Sequence, residues 1–379
     1  MRRSDQKGMY DEKGTKARST ERVRLAEAAL RYVAVIAAKS GLVRKAENRF
    51  EQQIVFRRYF EGCQPPQLQY SELSATLDVS RLKMEGKGNL SGMVRHTSRP
   101  NDKKKIIKHY DVMSPFYRSL WGEHIHHGYW IRGDESKEKA QLQLIEHLAG
   151  LAKVKPGSEV LDIGCGIGAS SIHLAMTYGA KATGITISPV QIEMARKAAA
   201  SERRLNVKFL LMDAEAMDFK NQFDLLWCVE SISHFERRKE FFASAARLLK
   251  PGGTLAIIDW FKKVNLTASE TRKFIDPIEK GMLAKLETMD DYESLLASSN
   301  LRIVHREVLN KHCAKTWDLC IDILRDKELW KIAVKHGAAF VSHLRAFQAM
   351  RAGFASGNFV YGLFVASGTE DGPGKRRER

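Results

Sequence analysis

The stretch VLDIGCGIG, residues 160–168, is an apolar run that ends in three alternate glycines. Apolar, helix-compatible sequence follows it, so the pattern predicts a strand, a glycine turn and a helix. Glycine is favoured where the backbone turns sharply and lies close to a ligand, because a Cβ atom would collide there. The first N–H groups of the following helix face whatever lies above the turn. The stretch therefore predicts a ligand-binding turn at the end of a buried strand.

Further strands and helices alternate after this turn. The predicted strands are the one ending at Ile163 and those at 182–187, 207–212, 223–229, 254–258, 301–308 and 359–366. Helical segments follow the first, second and fourth of them. This order predicts an α/β fold: a Rossmann-like, doubly wound, mostly parallel seven-stranded sheet with helical lid and cap insertions. Ligands of such sheets bind at the carboxyl ends of the strands.

The charge of the chain is unusual. It contains 62 Lys and Arg against 45 Asp and Glu over 379 residues, a formal net charge of +17. Such an excess suggests an anionic partner, which could be nucleic acid, an acidic membrane surface or a substrate. Part of it lies in the basic runs 103–105 and 375–377. Solvated basic segments therefore explain a share of the charge.

The cysteines and histidines predict no metal. The five cysteines are odd in number and contain no CxxC pair, which favours a reducing compartment and neither a disulfide framework nor a zinc site. His124, His126 and His127 lack a Cys or carboxylate at ligand spacing. The apolar run at 32–38 is too short to span a bilayer and lacks the layout of a signal peptide. We expect a cytoplasmic protein, with peripheral membrane contact left open.

Five motifs together resemble a known enzyme class. Gly168 follows Gly166 by two residues, whereas a dinucleotide fingerprint spaces these glycines by three. The other motifs are GITISPVQ at 184–191, FDLLWCVES at 223–231, LLKPGGTLAI at 248–257 and WGEHIHHGYW at 121–130. With the glycine turn, they resemble class I methyltransferases that depend on S-adenosylmethionine (SAM). The nearest branch is that of the tocopherol methyltransferases, with sterol methyltransferases and cyclopropane-lipid synthases more distant.

The resemblance covers about residues 109–366 and implies a division of the chain. We expect a basic N-terminal extension over 1–92, partly helical (20–39) or disordered, and a helical lid segment over 93–152. The SAM-binding core would follow over 153–261. A helical cap with the last two strands would occupy 262–368, and a disordered tail 369–379. The extension shows no chemical motif of its own.

The resemblance implies that SAM binds at four strand ends. The residues concerned are Asp162, Gly164, Cys165, Gly166, Gly168, Thr186, Ile187, Gln191, Asp213, Ala214 and Glu230. Alternatives remain for three of them. Asp162 and Asp213 could instead cap local N–H groups, and Gln191 could complete a capping box with Ser188 rather than bind the ribose. Thr186 replaces the acidic residue that the wider class uses for the ribose.

The resemblance also implies an acceptor site under the lid. His234 follows the strand nearest the methyl group, and a histidine pKa near neutrality suits proton removal from an acceptor. His126 and His127 are further candidates for this role. The aromatic residues implied in substrate binding are Tyr110, Tyr117, Tyr129 and Trp130. A base is helpful but not compulsory, since methyl transfer depends mainly on alignment.

These observations predict a SAM-dependent methyltransferase acting on a small or lipid-like acceptor, such as a phenol, quinol or amine. One alternative is a cyclopropane-lipid synthase. A nucleic-acid methyltransferase is disfavoured, because the fourth strand ends in Glu230-Ser231 and lacks the Asn/Asp-Pro-Pro-Tyr/Phe motif that holds a flipped base. A non-catalytic SAM-binding module is the remaining alternative. The oligomeric state stays open.

Overall fold

A computed structural model describes residues 103–202, 205–323 and 338–368. Its contacts divide the chain into two compact units, 1–97 with 328–341 and 98–327 with 342–379. The elements described below belong to the second unit, apart from the first four residues of the last helix. The predicted extension, its helix at 20–39 and the predicted tail at 369–379 lie outside the described residues.

The second unit is built on one seven-stranded sheet. Its strands are β1 Glu159–Ile163, β2 Lys181–Thr186, β3 Val207–Leu211, β4 Phe223–Val229, β5 Leu249–Lys262, β6 Leu301–Val308 and β7 Phe359–Gly368. Their order is β3-β2-β1-β4-β5-β7-β6, and only β7 runs antiparallel to its neighbours. The predicted Rossmann-like, mostly parallel sheet is therefore confirmed. The strand order reverses between β1 and β4, which is where such sheets bind ligands.

Helices cover both faces of the sheet and its carboxyl edge. They are α1 Lys103–Leu120, α2 Lys137–Leu151, α3 Ala169–Tyr178, α4 Pro189–Ala200, α5 Arg238–Leu248, α6 Ala268–Glu270, α7 Asp276–Met282, α8 Met289–Ser298, α9 Asn310–Cys313, α10 Lys315–Asp322 and α11 Ala338–Ser356. A π-helical turn, Thr271–Ile275, joins α6 to α7. Several helices begin at clear sequence signals: Ser188 caps α4 with Pro189 at its first position, and Ser136 caps α2. Among the described residues, no helix is long and apolar enough to cross a membrane.

The predicted bounds of β5 were wrong. The sequence predicts a turn at 250–253 and a strand from Thr254, whereas β5 begins at Leu249. Leu249 pairs with Phe223 and Thr254 pairs with Leu225, so the extra residues form a bulge against β4. Gly252 has φ +72° within it. The glycine therefore bends a paired strand instead of ending it.

Alternate residues of the central strands enter two separate hydrophobic clusters. Leu225 and Trp227 face the cluster that contains Trp260 and Tyr361, whereas Leu226 faces the other. Such alternation follows from the two-residue period of a strand. The first cluster also receives α2, α7, α10 and α11. Helices of the predicted lid and cap segments, α2, α7, α10 and α11, thus pack on this face of the sheet, whereas α8 of the cap packs on the other face.

Candidate active site

The glycine turn follows β1 in a conformation that requires glycine at each alternate position. Gly164, Gly166 and Gly168 have φ of +76°, +53° and +87°. A Cβ on Gly164 would lie 2.5 Å from Ser231 Cβ, and one on Gly168 would lie 2.6 Å from Phe209 Cζ. The backbone of the turn thus packs closely between β4 and β3. Gly166 instead faces the loop before α2, where Ile125 Cδ1 lies 3.4 Å from its Cβ position.

Asp162 fastens the first turn of α3. Its carboxylate is 2% exposed and accepts a 2.6 Å hydrogen bond from Ser171 Oγ. Burial raises the pKa of Asp162 to about 7. Gly168, the N-cap of α3, provides no side-chain hydrogen bond. In this structure Asp162 holds the helix that follows the turn, and Cys165 is buried in the adjoining hydrophobic cluster.

The end of β2 is hydrogen-bonded to helix α1. Thr186 Oγ1 donates to Gln191 Oε1 over 2.7 Å, and Gln191 Nε2 donates to Ser114 Oγ of α1 over 3.1 Å. Ser188 Oγ accepts from the Gln191 main-chain N–H, which is one half of the capping box that the sequence allows. The Gln191 side chain reaches α1 instead of completing the box. Ile187 lies beside these groups and is half-buried.

The end of β3 is bonded to the same helix. Asp213 Oδ1 accepts from the main-chain N–H of Glu215 over 2.9 Å, so the side chain caps the short 3-10 turn at Ala214–Ala216. Lys103 Nζ lies 2.5 Å from Asp213 Oδ2 and 2.7 Å from Glu215 Oε2. Ala214 is buried. Helix α1 therefore lies over the ends of both β2 and β3.

Glu230 follows β4 in an unusual backbone conformation, with φ +52°. A positive φ is uncommon outside glycine and concentrates at functional sites. Glu230 Oε1 accepts three hydrogen bonds, from His127 N (2.9 Å), His127 Nδ1 (2.8 Å) and the Tyr361 hydroxyl (2.6 Å). Burial acts to raise the pKa of Glu230, but His127, His126 and Tyr361 outweigh it and the pKa is lowered. The buried carboxylate thus stays ionised.

His234 is fully engaged by two neighbours. His234 Nδ1 lies 3.0 Å from the Leu283 carbonyl oxygen, so it donates, and His234 Nε2 accepts from the Tyr110 hydroxyl over 2.9 Å. Burial lowers the pKa of His234 and raises that of Tyr110. The pair is therefore neutral near neutral pH. It joins α1 to the loop after β4.

A second polar contact holds α1 against α11. The Tyr117 hydroxyl lies 3.0 Å from His343 Nε2 and 3.2 Å from His109 Nε2. The sequence did not identify His343, because α11 is remote along the chain and shows no motif. Lys103, Ser114 and Tyr361 were missed for the same reason. Their partners are separated from them by 77 to 131 residues.

Two predicted substrate residues make other contacts. The Tyr129 ring stacks on His147 and on His312, with centroids 4.6 Å and 4.5 Å apart. Trp130 Nε1 donates to the Glu135 carbonyl oxygen over 3.0 Å. The structure thus brings Tyr110 to His234 and Tyr117 to His343, whereas Tyr129 and Trp130 pack on α2, α9 and the loop between Trp130 and α2.

Of the two remaining histidines before α2, His126 is buried and His124 is half-buried. His126 Nδ1 donates to the His127 carbonyl oxygen over 2.8 Å. Burial lowers the pKa of His126 and lowers that of His124 to about 3. Within the described residues, no group of three or more His, Cys, Asp or Glu side chains could hold a metal ion.

The turn and strand ends fit the predicted cofactor. The three positive-φ glycines let the backbone turn sharply, and α3 begins directly after them, so its first main-chain N–H groups lie at the turn. Acidic side chains, Asp213 and Glu230, follow β3 and β4, and these suit the amino and cationic groups of SAM. The residues present therefore fit SAM at the predicted strand ends.

Comparisons with known proteins agree with the assignment of SAM as the cofactor. Residues 97–357 match the family model described as mycolic acid cyclopropane synthetase. Tocopherol O-methyltransferase of Arabidopsis thaliana is 29% identical over 74% of this chain and 86% of its own length. The 27-O-demethylrifamycin SV methyltransferase of Amycolatopsis mediterranei is 32% identical over 65% of this chain and 92% of its own length.

A solved structure shows the same fold. The cyclopropane synthase MmaA2 from Mycobacterium tuberculosis superposes with a TM-score of 0.64 at 23% identity, over 70% of this chain and 97% of that one. The family match, which covers well over half of the chain, also confirms the predicted resemblance and its cofactor. The chain therefore belongs to the mycolic acid cyclopropane synthetase family of SAM-dependent methyltransferases.

Proposed function

We propose that the protein methylates an apolar, lipid-like acceptor that carries a phenol or quinol ring. The observation that carries this proposal is the Tyr110–His234 hydrogen bond, which lies beneath α1 at the end of β4. Trp260 packs edge-on against His234, with ring centroids 6.3 Å apart. An aromatic surrounding with few polar groups suits an apolar ring compound. The name of the Arabidopsis relative supports the same class of acceptor.

SAM would bind along the carboxyl ends of β1 to β4. SAM, when bound, supplies a methyl group on a positively charged sulfur. The glycine turn with the start of α3 would hold its amino-acid part, and Thr186, Ile187 and Gln191 its ribose. Asp213 and Ala214 would meet the adenine. Glu230, which is ionised and buried, would stand near the positive charge.

Tyr110 and His234 would orient the acceptor. Because Tyr110 donates its hydrogen to His234, the lone pairs of the Tyr110 oxygen remain to accept a hydrogen bond from the second hydroxyl group of a quinol acceptor, the one that is not methylated. His234 has no free nitrogen, so its role is to position Tyr110. Helix α1 carries both Tyr110 and Tyr117 and would exclude water from the reacting groups.

A screen of acceptors with the full chain tests the proposal. Tocopherols and prenylated hydroquinones are compared with amines and unsaturated phospholipids, each with SAM, and products are followed by mass spectrometry and NMR. We expect one methyl group on the ring or its oxygen. SAM binding is measured separately by calorimetry. A chain that does not bind SAM, or that methylates only amines, contradicts the proposal.

A cyclopropane-lipid synthase is the second candidate, favoured by the family match at 97–357. Both reactions add one carbon and two hydrogens to the acceptor, so mass alone does not separate them. NMR does, because a cyclopropane ring and a methyl group give different proton signals. Conversion of the phospholipid double bond alone would replace the first candidate with the second.

A lipid-like acceptor also suits contact with a membrane surface. The net charge of +17 favours anionic lipids. Sedimentation of the full chain with vesicles of phosphatidylglycerol and of phosphatidylcholine measures this. We expect binding to the anionic vesicles that weakens as salt is added, and equal binding to both vesicles would contradict it.

A further inference from the structure

His127 presents a buried nitrogen that has no partner. Its side chain is 3% exposed, and His127 Nδ1 lies 2.8 Å from Glu230 Oε1. An ionised carboxylate only accepts hydrogen bonds, so Nδ1 carries the hydrogen. In the neutral ring the lone pair is then on Nε2. This atom is buried and makes no hydrogen bond.

The surroundings of this nitrogen are aromatic. The Tyr361 ring stacks on His127 with centroids 4.2 Å apart, and Trp317 meets its ring edge-on at 4.9 Å. Trp260 lies at 6.4 Å. The Nε1–H groups of Trp317 and Trp260 are also buried without a partner. An acceptor nitrogen and two N–H donors in one aromatic cluster suit a hydroxyl group, which can donate one hydrogen bond and accept others.

The other two candidate histidines differ from His127. Both nitrogens of His234 are occupied, by Leu283 and Tyr110. His126 has a free Nε2, but its Nδ1 donates to a main-chain carbonyl rather than to a carboxylate. Of these three, only His127 joins a free nitrogen to an ionised partner that would stabilise the protonated ring. Such a pair is the arrangement of a general base with an orienting carboxylate.

We propose that His127 Nε2 binds the hydroxyl group of the acceptor and removes its proton, and that Glu230 is the positioning residue for His127. The proton moves to Nε2 while the electron pair of the O–H bond stays on the acceptor oxygen. The protonated ring is then paired with Glu230. The substrate class is thus an aromatic alcohol whose ring lies near Trp260 and Trp317. This inference rests on the proposed function and names the group that the site recognises.

The test compares phenols of different acidity. A weakly acidic phenol needs a base, whereas a nitrophenol that is already ionised at the assay pH does not. We expect His127→Gln to lower kcat about 100-fold or more with the first, as general bases contribute about 100- to 10,000-fold, and less than about 10-fold with the second. Equal losses with both phenols would overturn the proposal.

Glu230→Gln provides an independent test should His127→Gln fail to fold. It leaves a side chain of the same size but removes the charge, and we expect kcat to fall with the weakly acidic phenol while KM for the phenol changes little. Glu307→Gln is its matched control, since Glu307 Oε2 lies 2.8 Å from His147 Nε2 in a half-exposed pair. An unchanged kcat in Glu230→Gln, or an equal loss in both variants, contradicts the role of Glu230.

A binding measurement completes the test. Calorimetry with S-adenosylhomocysteine present compares a phenol with its methyl ether. We expect the wild type to prefer the phenol and His127→Gln to lose that preference, and a preference retained in the variant would overturn the proposal. SAM binding with conversion of only a lipid double bond would refute this inference and leave methyl-group chemistry intact. Absence of SAM binding would instead refute the proposed function.

Discussion

Lys103 and Asp213 join the first residue of α1 to the end of β3, with Lys103 Nζ 2.5 Å from Asp213 Oδ2. The same ammonium group lies 2.7 Å from Glu215 Oε2. Farther along α1, Ser188 Oγ donates to Asp111 Oδ1 over 2.5 Å. Helix α1 is therefore held by Asp213, which is proposed to meet the adenine of SAM, and by the neighbouring Glu215 and Ser188, so the position of α1 and the binding of SAM should depend on each other.

Lys103→Gln should accelerate SAM dissociation. The Lys103 and Asp213 side chains are about one-third exposed, and an exposed pair contributes about 0.2–1 kcal/mol, whereas the side chain of Glu215, the second partner of Lys103, is 1% exposed. We therefore expect the dissociation rate to rise by about fivefold or more, as measured by stopped-flow fluorescence. Lys197→Gln is the control, because Lys197 forms an exposed pair with Glu193 on α4. Slower dissociation in Lys103→Gln would contradict the lid role.

Gly168→Ala should destabilise the fold more than Gly157→Ala. Both glycines have positive φ, +87° and +80°, which costs a non-glycine residue about 1–2 kcal/mol. A Cβ at Gly157 meets nothing within 4 Å, whereas one at Gly168 lies 2.6 Å from Phe209 and 2.8 Å from Ala195. Overpacking adds about 1–3 kcal/mol. Urea unfolding measures the difference, and equal losses would show that the turn has room for a side chain.

The glycine turn and most strands were predictable from the sequence because local patterns determine them. VLDIGCGIG and FDLLWCV show their strand and turn character within a few residues. The bounds of β4 and β6 agree with the structure for this reason. The start of β5 was not predictable, since a Pro-Gly-Gly run typically marks a turn, whereas here the pairs Leu249–Phe223 and Thr254–Leu225 enclose Gly252 within the strand.

Side-chain partners were harder to predict than the residues themselves. Gln191 and Glu230 were identified by position, yet their partners Ser114, His127 and Tyr361 lie 77 to 131 residues away. Nothing local in the sequence specifies which group a buried amide or carboxylate meets. The sequence suggested a capping contact between Gln191 and nearby Ser188, whereas the fold places Ser114 of α1 within hydrogen-bond distance of the Gln191 side chain.

Tyr110→Phe should lower methyl transfer while leaving SAM binding within about twofold. The change removes the hydrogen bond to His234 Nε2 and leaves that buried nitrogen unpaired, which costs about 1–3 kcal/mol of stability. We expect kcat to fall about 10- to 100-fold, from a loss of orientation. Tyr292→Phe is the matched control. Tyr292 belongs to the hydrophobic cluster that contains Leu226, and its hydroxyl donates to buried Asp259. An equal loss of kcat in both variants would show that Tyr110 contributes only to the stability of the fold.

Asp162→Asn should remove part of the dependence of stability on pH. Burial raises the pKa of Asp162 in the folded state to about 7, from 3.8. The folded state therefore holds a proton that the unfolded state has lost, and stability falls as the pH rises through this window. The neutral amide keeps an oxygen for Ser171 and avoids this loss. We expect the free energy of unfolding of the variant to rise relative to that of the wild type as the pH increases from about 4 to 7, by at most ~4 kcal/mol.

Asp224→Asn should change the dependence of stability on pH in the opposite direction. Burial acts to raise the pKa of Asp224, but hydrogen bonds from the Glu159 main chain and from Lys250 outweigh it and lower the pKa. Its carboxylate therefore stabilises the fold above the unfolded pKa, and this contribution is lost as the pH falls through the folded value. The Asn variant should be less stable than the wild type at neutral pH and approach it in acid. Urea unfolding across the pH range measures both variants. Parallel curves for Asp162→Asn and the wild type would show that Asp162 is ionised in the folded protein, and its bond to Ser171 would then be that of a buried anion.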